Sequence, residues 1–132
     1  MEIALKELGT HEIPGKQNQA RILEYHAATS LHASDDETPW CSAFANFVLQ
    51  KAGFKTTGSA WARSWLNYGV TLDKPVYGCL VIYERGVSSG HVNFFDHERA
   101  GWIYGLGGNQ GDAVNISGYS KQRVLGYRWP VR

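Results

Sequence analysis

Apolar residues recur at helical spacing in one long stretch of the first half of the chain. From Cys41 to Ala52 they occupy positions i, i+3, i+4, i+7, i+8 and i+11, which leaves polar side chains on the opposite face. Thr38 is suited to the N-cap, Pro39 to the first helical position and Gly53 to the stop. The pattern predicts an amphipathic helix from Thr38 to Gly53 with its apolar face in the core.

The remaining pattern divides the chain into a helical half and an extended half. Shorter helices are predicted at residues 2–8, 18–28 and 60–68. From Pro75 onward, runs of β-forming residues with short polar or glycine-containing connections predict hairpins. These five runs are residues 78–83, 91–97, 101–106, 113–117 and 123–129. The order predicts an α+β fold, with N-terminal helices packed on a C-terminal antiparallel β-sheet of about five strands.

Composition and charge narrow the class of protein. Hydrophobic residues make up 43% of the chain and charged residues 19%, which is typical of a globular protein. At 132 residues the chain predicts a single domain over residues 1–132. The net charge of +1 gives no general attraction to nucleic acid. Since no apolar run reaches the ~20 residues of a membrane span, no membrane insertion is predicted.

Cys41 is the first candidate for chemistry, because it lies in the first turn of the predicted central helix. Unpaired backbone N–H groups and the positive end of the helix dipole favour a thiolate there, which lowers the cysteine pKa. The alternative is a small buried core residue. Cys79 is interpreted as a buried structural thiol, and whether it ever pairs with Cys41 is left open.

His91 is the candidate base for such a thiol, because it opens a predicted strand behind the glycine-containing loop that ends at Gly90. A cysteine nucleophile needs a base and a third polar group that holds the base in the correct tautomer. The hairpin register places His91 opposite residues 107–109, where Asn109 and Gln110 are the polar side chains available. We predict Asn109 as the orienting residue, the alternative being that it only forms a turn.

Several motifs together resemble the broad NlpC-type and CHAP group of cysteine peptidases and amidases, particularly a small phage and bacterial subfamily. The most specific is Pro39-Trp-Cys-Ser-Ala-Phe44, which carries the candidate nucleophile. The other matching segments run nearly end to end: Glu12-Ile-Pro-Gly15, Ile22-Leu-Glu-Tyr25, Gly58-Ser-Ala-Trp-Ala-Arg-Ser-Trp65, Gly90-His-Val92, Gly107-Gly-Asn-Gln110 and Gly126-Tyr-Arg-Trp-Pro130. Two positions depart from the group's pattern: Asn93 stands where glycine is usual, and Cys79 where aspartate is frequent.

The resemblance implies a papain-like fold and a peptidoglycan hydrolase, such as an endolysin, that cleaves an amide bond. Either the N-acetylmuramoyl-L-alanine amide or a bond within the stem peptide would be cut. It implies Cys41 as nucleophile, His91 as base and Asn109 as third residue, with no metal and no cofactor required. Three tryptophans are expected to bind the substrate: Trp40, Trp61 and Trp65.

Three other readings stay open at this point. The chain could be a non-catalytic wall-binding module that uses exposed aromatic residues. It could be a zinc hydrolase using a cysteine with His91, Asp96 or His97, although no pair has the usual ligand spacing. It could also be a cytosolic cysteine peptidase with the same chemistry.

The start of the sequence bears on where the protein acts. Its first nine residues lack the basic region and apolar run of a secretory signal. We therefore expect synthesis in the cytoplasm without a signal peptide and action on the periplasmic or extracellular cell wall after release or delivery. A holin or secretion route and an immunity protein are left open as partners.

Overall fold

A computed structural model describes residues 1–12, 20–29, 40–87 and 89–132 of the chain. Within these ranges three α-helices precede the sheet: α1 (Glu2–Leu5), α2 (Ala20–His26) and α3 (Cys41–Lys51). Two 3-10 helices cover Ala62–Asn67 and Lys121–Arg123. No helix within these described ranges is long and apolar enough to cross a membrane.

Six antiparallel strands form one sheet, which confirms the predicted α+β class. They are β1 (Val70–Leu72), β2 (Leu80–Arg85), β3 (Ser89–Arg99), β4 (Trp102–Gly107), β5 (Asn115–Ser120) and β6 (Val124–Trp129). Their order across the sheet is β1-β6-β2-β3-β4-β5. The prediction of about five strands missed β1, whose three residues pair only with β6 at one edge. The pairs Phe94–Leu106 and Arg99–Trp102 match the predicted β3–β4 register to within one or two residues.

The central helix begins later than the sequence predicts and is buried on more sides. Trp40 occupies the N-cap position, and its carbonyl accepts the first helical hydrogen bond from the Phe44 N–H at 2.9 Å. The predicted cap Thr38, like Pro39, lies outside the described residues, as does Asn18 at the predicted start of the second helix. Every residue from Cys41 to Leu49 is buried.

The polar face predicted for α3 is a buried hydrogen-bonding surface rather than a solvated one. Ser42 donates its hydroxyl to the Ser59 carbonyl oxygen at 2.6 Å, and Trp65 donates its indole N–H to the Ser42 hydroxyl at 2.9 Å. Asn46 donates to the Ser59 carbonyl oxygen and accepts from the Gly58 N–H. These bonds satisfy the buried polar groups, and they tie α3 to the loop that precedes the first 3-10 helix.

That loop and helix also differ from the prediction. The sequence predicts an α-helix over residues 60–68, whereas a 3-10 helix forms with Trp61 at its N-cap position. The Ser59 hydroxyl accepts from the Trp61 N–H at 3.1 Å, so it caps the turn just before the helix. A 3-10 helix turns every three residues, and Trp61 and Trp65 therefore do not share a face.

The sheet separates two clusters of buried side chains. Ile82, Val92 and Phe94 pack with α3 in the larger cluster, whereas Val81 and Tyr83 belong to the smaller one. Alternation along the strands produces this division, since successive side chains point to opposite faces. Helix α3 packs on β3, and Cys41 at the start of the helix lies beside the backbone N–H of Val92 near the start of the strand.

Candidate active site

Cys41 is the first residue of α3, and only 5% of its surface is exposed. The backbone N–H of Val92, and those of Ser42 and of Cys41 itself, stabilise a thiolate at this position. Burial outweighs them and raises the pKa of the Cys41 thiol above its usual value. The prediction that the helix start lowers this pKa is therefore wrong in direction, because the loss of solvation is the larger effect.

His91 lies two residues inside β3 and is completely buried. Its ring packs beside two tyrosine rings that also contact each other: the centroid distances are 6.0 Å to Tyr83, 5.0 Å to Tyr119 and 4.8 Å between the two tyrosines. Burial lowers the pKa of His91 to about 4, and the positive charges of Arg85 and Arg123 act in the same direction. The imidazole is therefore neutral at physiological pH.

The two candidate groups lie at the same end of the sheet. The Cys41 sulfur is beside the backbone N–H of Val92, the residue that follows His91. The charge of Arg85 lowers the pKa of both Cys41 and His91. Burial raises the pKa of Tyr119, whose ring packs on His91, and a thiolate at Cys41 would act in the same direction. The sequence thus brings a helix-borne thiol and a strand-borne imidazole into one neighbourhood.

Gln110, not Asn109, contacts the imidazole. The Gln110 side-chain oxygen Oε1 lies 2.9 Å from Nε2 of His91, and only 2% of Gln110 is exposed. The β4 ladder ends at Gly107, and Asn109 adopts a left-handed φ of 58° in the turn that follows. This turn directs Gln110, one residue later, back onto His91. The prediction of Asn109 as the residue next to His91 is corrected, because it assumed that the strand register continues through the turn.

The hydrogen bonds of Gln110 determine which of its side-chain atoms faces the histidine. Its Nε2 donates to the Gly105 carbonyl oxygen at 3.2 Å, to the Asn115 carbonyl oxygen at 2.7 Å and to Asn115 Oδ1 at 3.0 Å. All three are oxygen acceptors, so the amide nitrogen faces them and Oε1 faces His91.

This orientation fixes the tautomer of His91. Because Oε1 only accepts hydrogen bonds, Nε2 of His91 must carry the proton and donate it. The other ring nitrogen, Nδ1, then holds a lone pair, and it has no hydrogen-bond partner among the described residues. A neutral imidazole with one anchored N–H and one open lone pair is the arrangement that a general base requires.

Two of the three tryptophans predicted to bind substrate are core residues. Trp40 and Trp65 have no exposed surface, and each donates its indole N–H to a protein oxygen, Trp40 to Glu12 and Trp65 to Ser42. The prediction that these two contact substrate is therefore corrected. Trp61 is 53% exposed and follows the segment that is bonded to Ser42. Its role in substrate binding stays a prediction.

The remaining candidate groups lie apart from this site. Cys79 is a free, buried thiol in the smaller cluster, as interpreted from the sequence, and Cys41 is also unpaired. His97 bonds Asp96 and stacks on Tyr104 toward the far end of β3. Within the described ranges, no group of three or more His, Cys, Asp or Glu residues is arranged to hold a metal ion.

Sequence reasoning missed three residues that contact the His91–Gln110 pair. The Tyr83 and Tyr119 rings pack beside the imidazole, and Asn93 bonds the same Gln110 oxygen as His91 does. A signal for two of them was available. Tyr83 is the register partner of His91, and Asn93 lies two residues along the same strand, on the same side. Tyr119 comes from β5, and no local pattern predicts its approach.

The chain was compared with known proteins. The family model described as CHAP domain matches residues 33–109, which is more than half of the chain. The match includes Cys41 and His91 and ends at Asn109, one residue before Gln110. Neither the curated proteins nor the solved structures gave a match.

Proposed function

The chain belongs to the CHAP domain family, and from this premise we propose that it is a cysteine-dependent peptidoglycan hydrolase. CHAP domains are typically hydrolases that act on peptidoglycan through amidase or peptidase activity. The bond cut would be the amide between muramic acid and L-alanine or an amide within the stem peptide. The observation that carries the proposal is the Cys41 sulfur beside the backbone N–H of Val92, the residue after His91. The His91 imidazole is anchored at Nε2, and its buried Nδ1 has no hydrogen-bond partner among the described residues.

In this proposal His91 acts as a general base on a protonated thiol. Burial raises the pKa of Cys41 and lowers that of His91 to about 4, which favours a neutral thiol–imidazole pair over a resting ion pair. Nδ1 of His91 takes the thiol proton as the sulfur attacks the carbonyl carbon of the substrate amide. The proton is then held by an imidazolium that Gln110 orients through Nε2.

The next steps use the same two groups. The backbone N–H of Cys41, at the start of α3, would donate to the developing oxyanion. The imidazolium gives its proton to the leaving amine, which leaves a thioester on Cys41. His91 then removes a proton from a water molecule as its oxygen attacks the thioester carbon, and the C–S bond breaks. The departing sulfur takes that proton back from the His91 imidazolium, which restores the thiol and the neutral imidazole. Chain residues supply every proton transfer in this scheme.

Gln110 takes the orienting role in place of Asn109. Its amide oxygen stabilises the positive charge that develops on His91, and its amide nitrogen is held by three oxygens. An amide is a weaker electrostatic partner than a carboxylate, so its main effect is to select the tautomer. Trp61 would pack against a sugar or the peptide stem. The protein would act on the wall outside the cytoplasm, where its substrate lies.

The proposal is tested by digesting purified peptidoglycan and identifying the products by mass spectrometry. The wild-type protein should release fragments whose new amine and carboxyl ends identify the bond. Cys41→Ala should release none, whereas Cys79→Ala, which removes the other buried thiol, should give the wild-type products.

Two results would contradict the proposal. If Cys41→Ala released the same fragments at the wild-type rate, Cys41 would not be the nucleophile. If the wild-type protein bound the wall but released nothing, the alternative of a wall-binding module would be favoured.

A further inference from the structure

We propose that Asn93 is a positioning residue that keeps the Gln110 amide in the orientation that places the proton on Nε2 of His91. The inference rests on the proposed function, because the tautomer matters only if His91 is the base. Asn93 is 1% exposed and lies two residues after His91 on β3. It does not contact the substrate bond in this proposal, and it acts through Gln110.

The contacts of Asn93 place a hydrogen-bond donor against the same oxygen that the imidazole uses. Its Nδ2 donates to Oε1 of Gln110 at 3.0 Å, next to the 2.9 Å contact from Nε2 of His91. A carbonyl oxygen has two lone pairs, so the two donors together saturate it. Gln110 is therefore held on both sides, by oxygens at its nitrogen and by donors at its oxygen.

The orientation of Asn93 is itself fixed by Tyr83. Because Nδ2 of Asn93 faces an acceptor, Oδ1 must face the other way, and it lies 3.0 Å from the Tyr83 hydroxyl. Tyr83 therefore donates to Asn93, and Asn93 donates to Gln110. The donors in this series of hydrogen bonds all point from Tyr83 toward Gln110. Reversing either amide would place two donors or two acceptors against each other.

The neighbouring strand is shaped around this pair of amides. A Cβ atom added at Gly105 would come within 2.3 Å of the Asn93 side-chain oxygen. One added at Gly107 would lie 2.7 Å from Asn93 Cβ and 2.8 Å from Gln110 Oε1. Only glycine at positions 105 and 107 of β4 leaves room for the Asn93 and Gln110 side chains as observed. The backbone of the sheet therefore accommodates the contact between these two amides.

A reversed Gln110 amide would give an inactive histidine. The Gln110 nitrogen would then face Nε2 of His91, which could pair with it only as an acceptor. The proton would move to Nδ1, and the lone pair that should take the Cys41 proton would be lost. In the reversed state the Gln110 nitrogen would also meet the Asn93 nitrogen. The Asn93 donor thus disfavours the tautomer that cannot act as a base.

The substitution Asn93→Asp tests this inference, because aspartate has nearly the same shape but changes hydrogen-bonding role with pH. A protonated aspartic acid can donate to Gln110, whereas an ionised aspartate can only accept and repels Oε1. We expect kcat on soluble peptidoglycan fragments to fall by about tenfold to a hundredfold once the aspartate ionises, since a buried oxygen loses its donor. At lower pH kcat should return toward the wild-type value, with KM changed by less than about twofold.

A second readout does not depend on activity. The ring 15N chemical shifts of His91 report which nitrogen carries the proton. In the wild type they should show the Nε2–H tautomer at every pH measured. In Asn93→Asp they should show the Nδ1–H tautomer above the pH at which the aspartate ionises. Asn67→Asp, which adds the same charge at an exposed position, is the matched control and should behave as wild type.

The outcomes separate the inference from the proposed function. If Asn93→Asp keeps both the Nε2–H tautomer and wild-type kcat above the pH at which the new aspartate ionises, Asn93 does not position Gln110. If the protein proves not to cut peptidoglycan, the 15N shifts still decide the role of Asn93. Should Asn93→Asp fail to fold, Tyr83→Phe, which removes one hydroxyl, should show a measurable Nδ1–H population and a severalfold lower kcat. Wild-type behaviour of that variant would overturn the inference.

Discussion

The protonation states of Cys41 and His91 are set by burial more than by the helix. The dipole at a helix start stabilises a charge by about 0.3–1 kcal/mol, which is less than one pKa unit. Burial shifts the pKa of a fully enclosed group by up to about 3–5 units. The pKa of Cys41 is therefore raised despite three backbone N–H groups, and that of His91 is lowered to about 4. In its resting state the site therefore holds a neutral thiol and a neutral base rather than a preformed thiolate.

The pH dependence of activity follows from this pair. A neutral His91 is required, and its pKa of about 4 predicts that kcat/KM stays nearly constant from pH 7.5 down to 5.5. An ordinary histidine, titrating near 6.5, would give about a tenfold loss over that range. Initial rates on soluble peptidoglycan fragments, with circular dichroism to verify the fold at each pH, provide the measurement. A half-maximal rate near pH 6.5 would contradict the neutral-pair account.

Individual residues show how far the sequence alone can identify the site. Cys41 and His91 were selected by their places at a helix start and a strand start, and the structure brings these two elements together. Asn109 was selected by extending a strand register, and Gln110 replaces it because a left-handed turn intervenes. Strand pairing is encoded in local patterns, whereas the direction of a side chain after an irregular turn depends on tertiary contacts.

The turn after β4 connects the orienting residue to the central helix. A Cβ atom added at Gly108 would come within 2.6 Å of the Trp40 ring and 2.7 Å of Phe44 Cβ. The backbone of this turn therefore rests directly on the start of α3, the same segment that carries Cys41. Close packing at this point fixes the position of Gln110 relative to Cys41, although the two residues come from separate elements.

Gly108→Ala should disturb this contact. We expect a loss of about 1–3 kcal/mol in the free energy of unfolding, as for other overpacked cores, together with lower activity as Gln110 is displaced. The control is Gly111→Asn in the same turn. Gly111 has a φ of 61°, a Cβ atom added there meets nothing within 4 Å, and asparagine tolerates that φ. Denaturant unfolding measures both variants, and equal losses for the two would refute the packing argument.

The elements themselves were predicted to different degrees. Five strands were placed by alternation and turn residues, because hairpins are local structures. Strand β1 was missed, since three residues after Gly69 carry too little pattern to distinguish a strand from a loop. The pattern over residues 60–68 predicts an α-helix. The bonds from Ser42 and Asn46 hold the preceding loop, and the chain forms a 3-10 helix instead.

Across the whole molecule, a buried neutral histidine makes the folded state sensitive to acid. The pKa of His91 is about 4 in the folded protein and near 6.5 in the unfolded chain. The unfolded state therefore binds an additional proton between these values. The stability that depends on a neutral His91 is complete above pH 6.5 and is lost as the pH falls toward 4, by up to about 3 kcal/mol.

This acid sensitivity can be assigned by substitution. His91→Gln should flatten the dependence of the free energy of unfolding on pH between 6.5 and 4, measured by urea denaturation. His97→Gln, which replaces an exposed histidine, should keep the wild-type dependence. If the two variants lose stability in parallel as the pH is lowered, burial of His91 is not the source of the effect.

The most direct test of the central claim is chemical modification of Cys41 with parallel measurement of wall lysis. After partial treatment of the folded protein with iodoacetamide, peptide mass spectrometry gives the modified fraction of each cysteine. We predict that lytic activity falls in proportion to modification of Cys41, while Cys79, which has no exposed surface, stays unmodified. In Cys79→Ala, lytic activity should fall with modification of Cys41 as it does in the wild type. In His91→Ala, Cys41 should react more slowly with iodoacetamide. Undiminished lysis by protein fully modified at Cys41 would contradict the account.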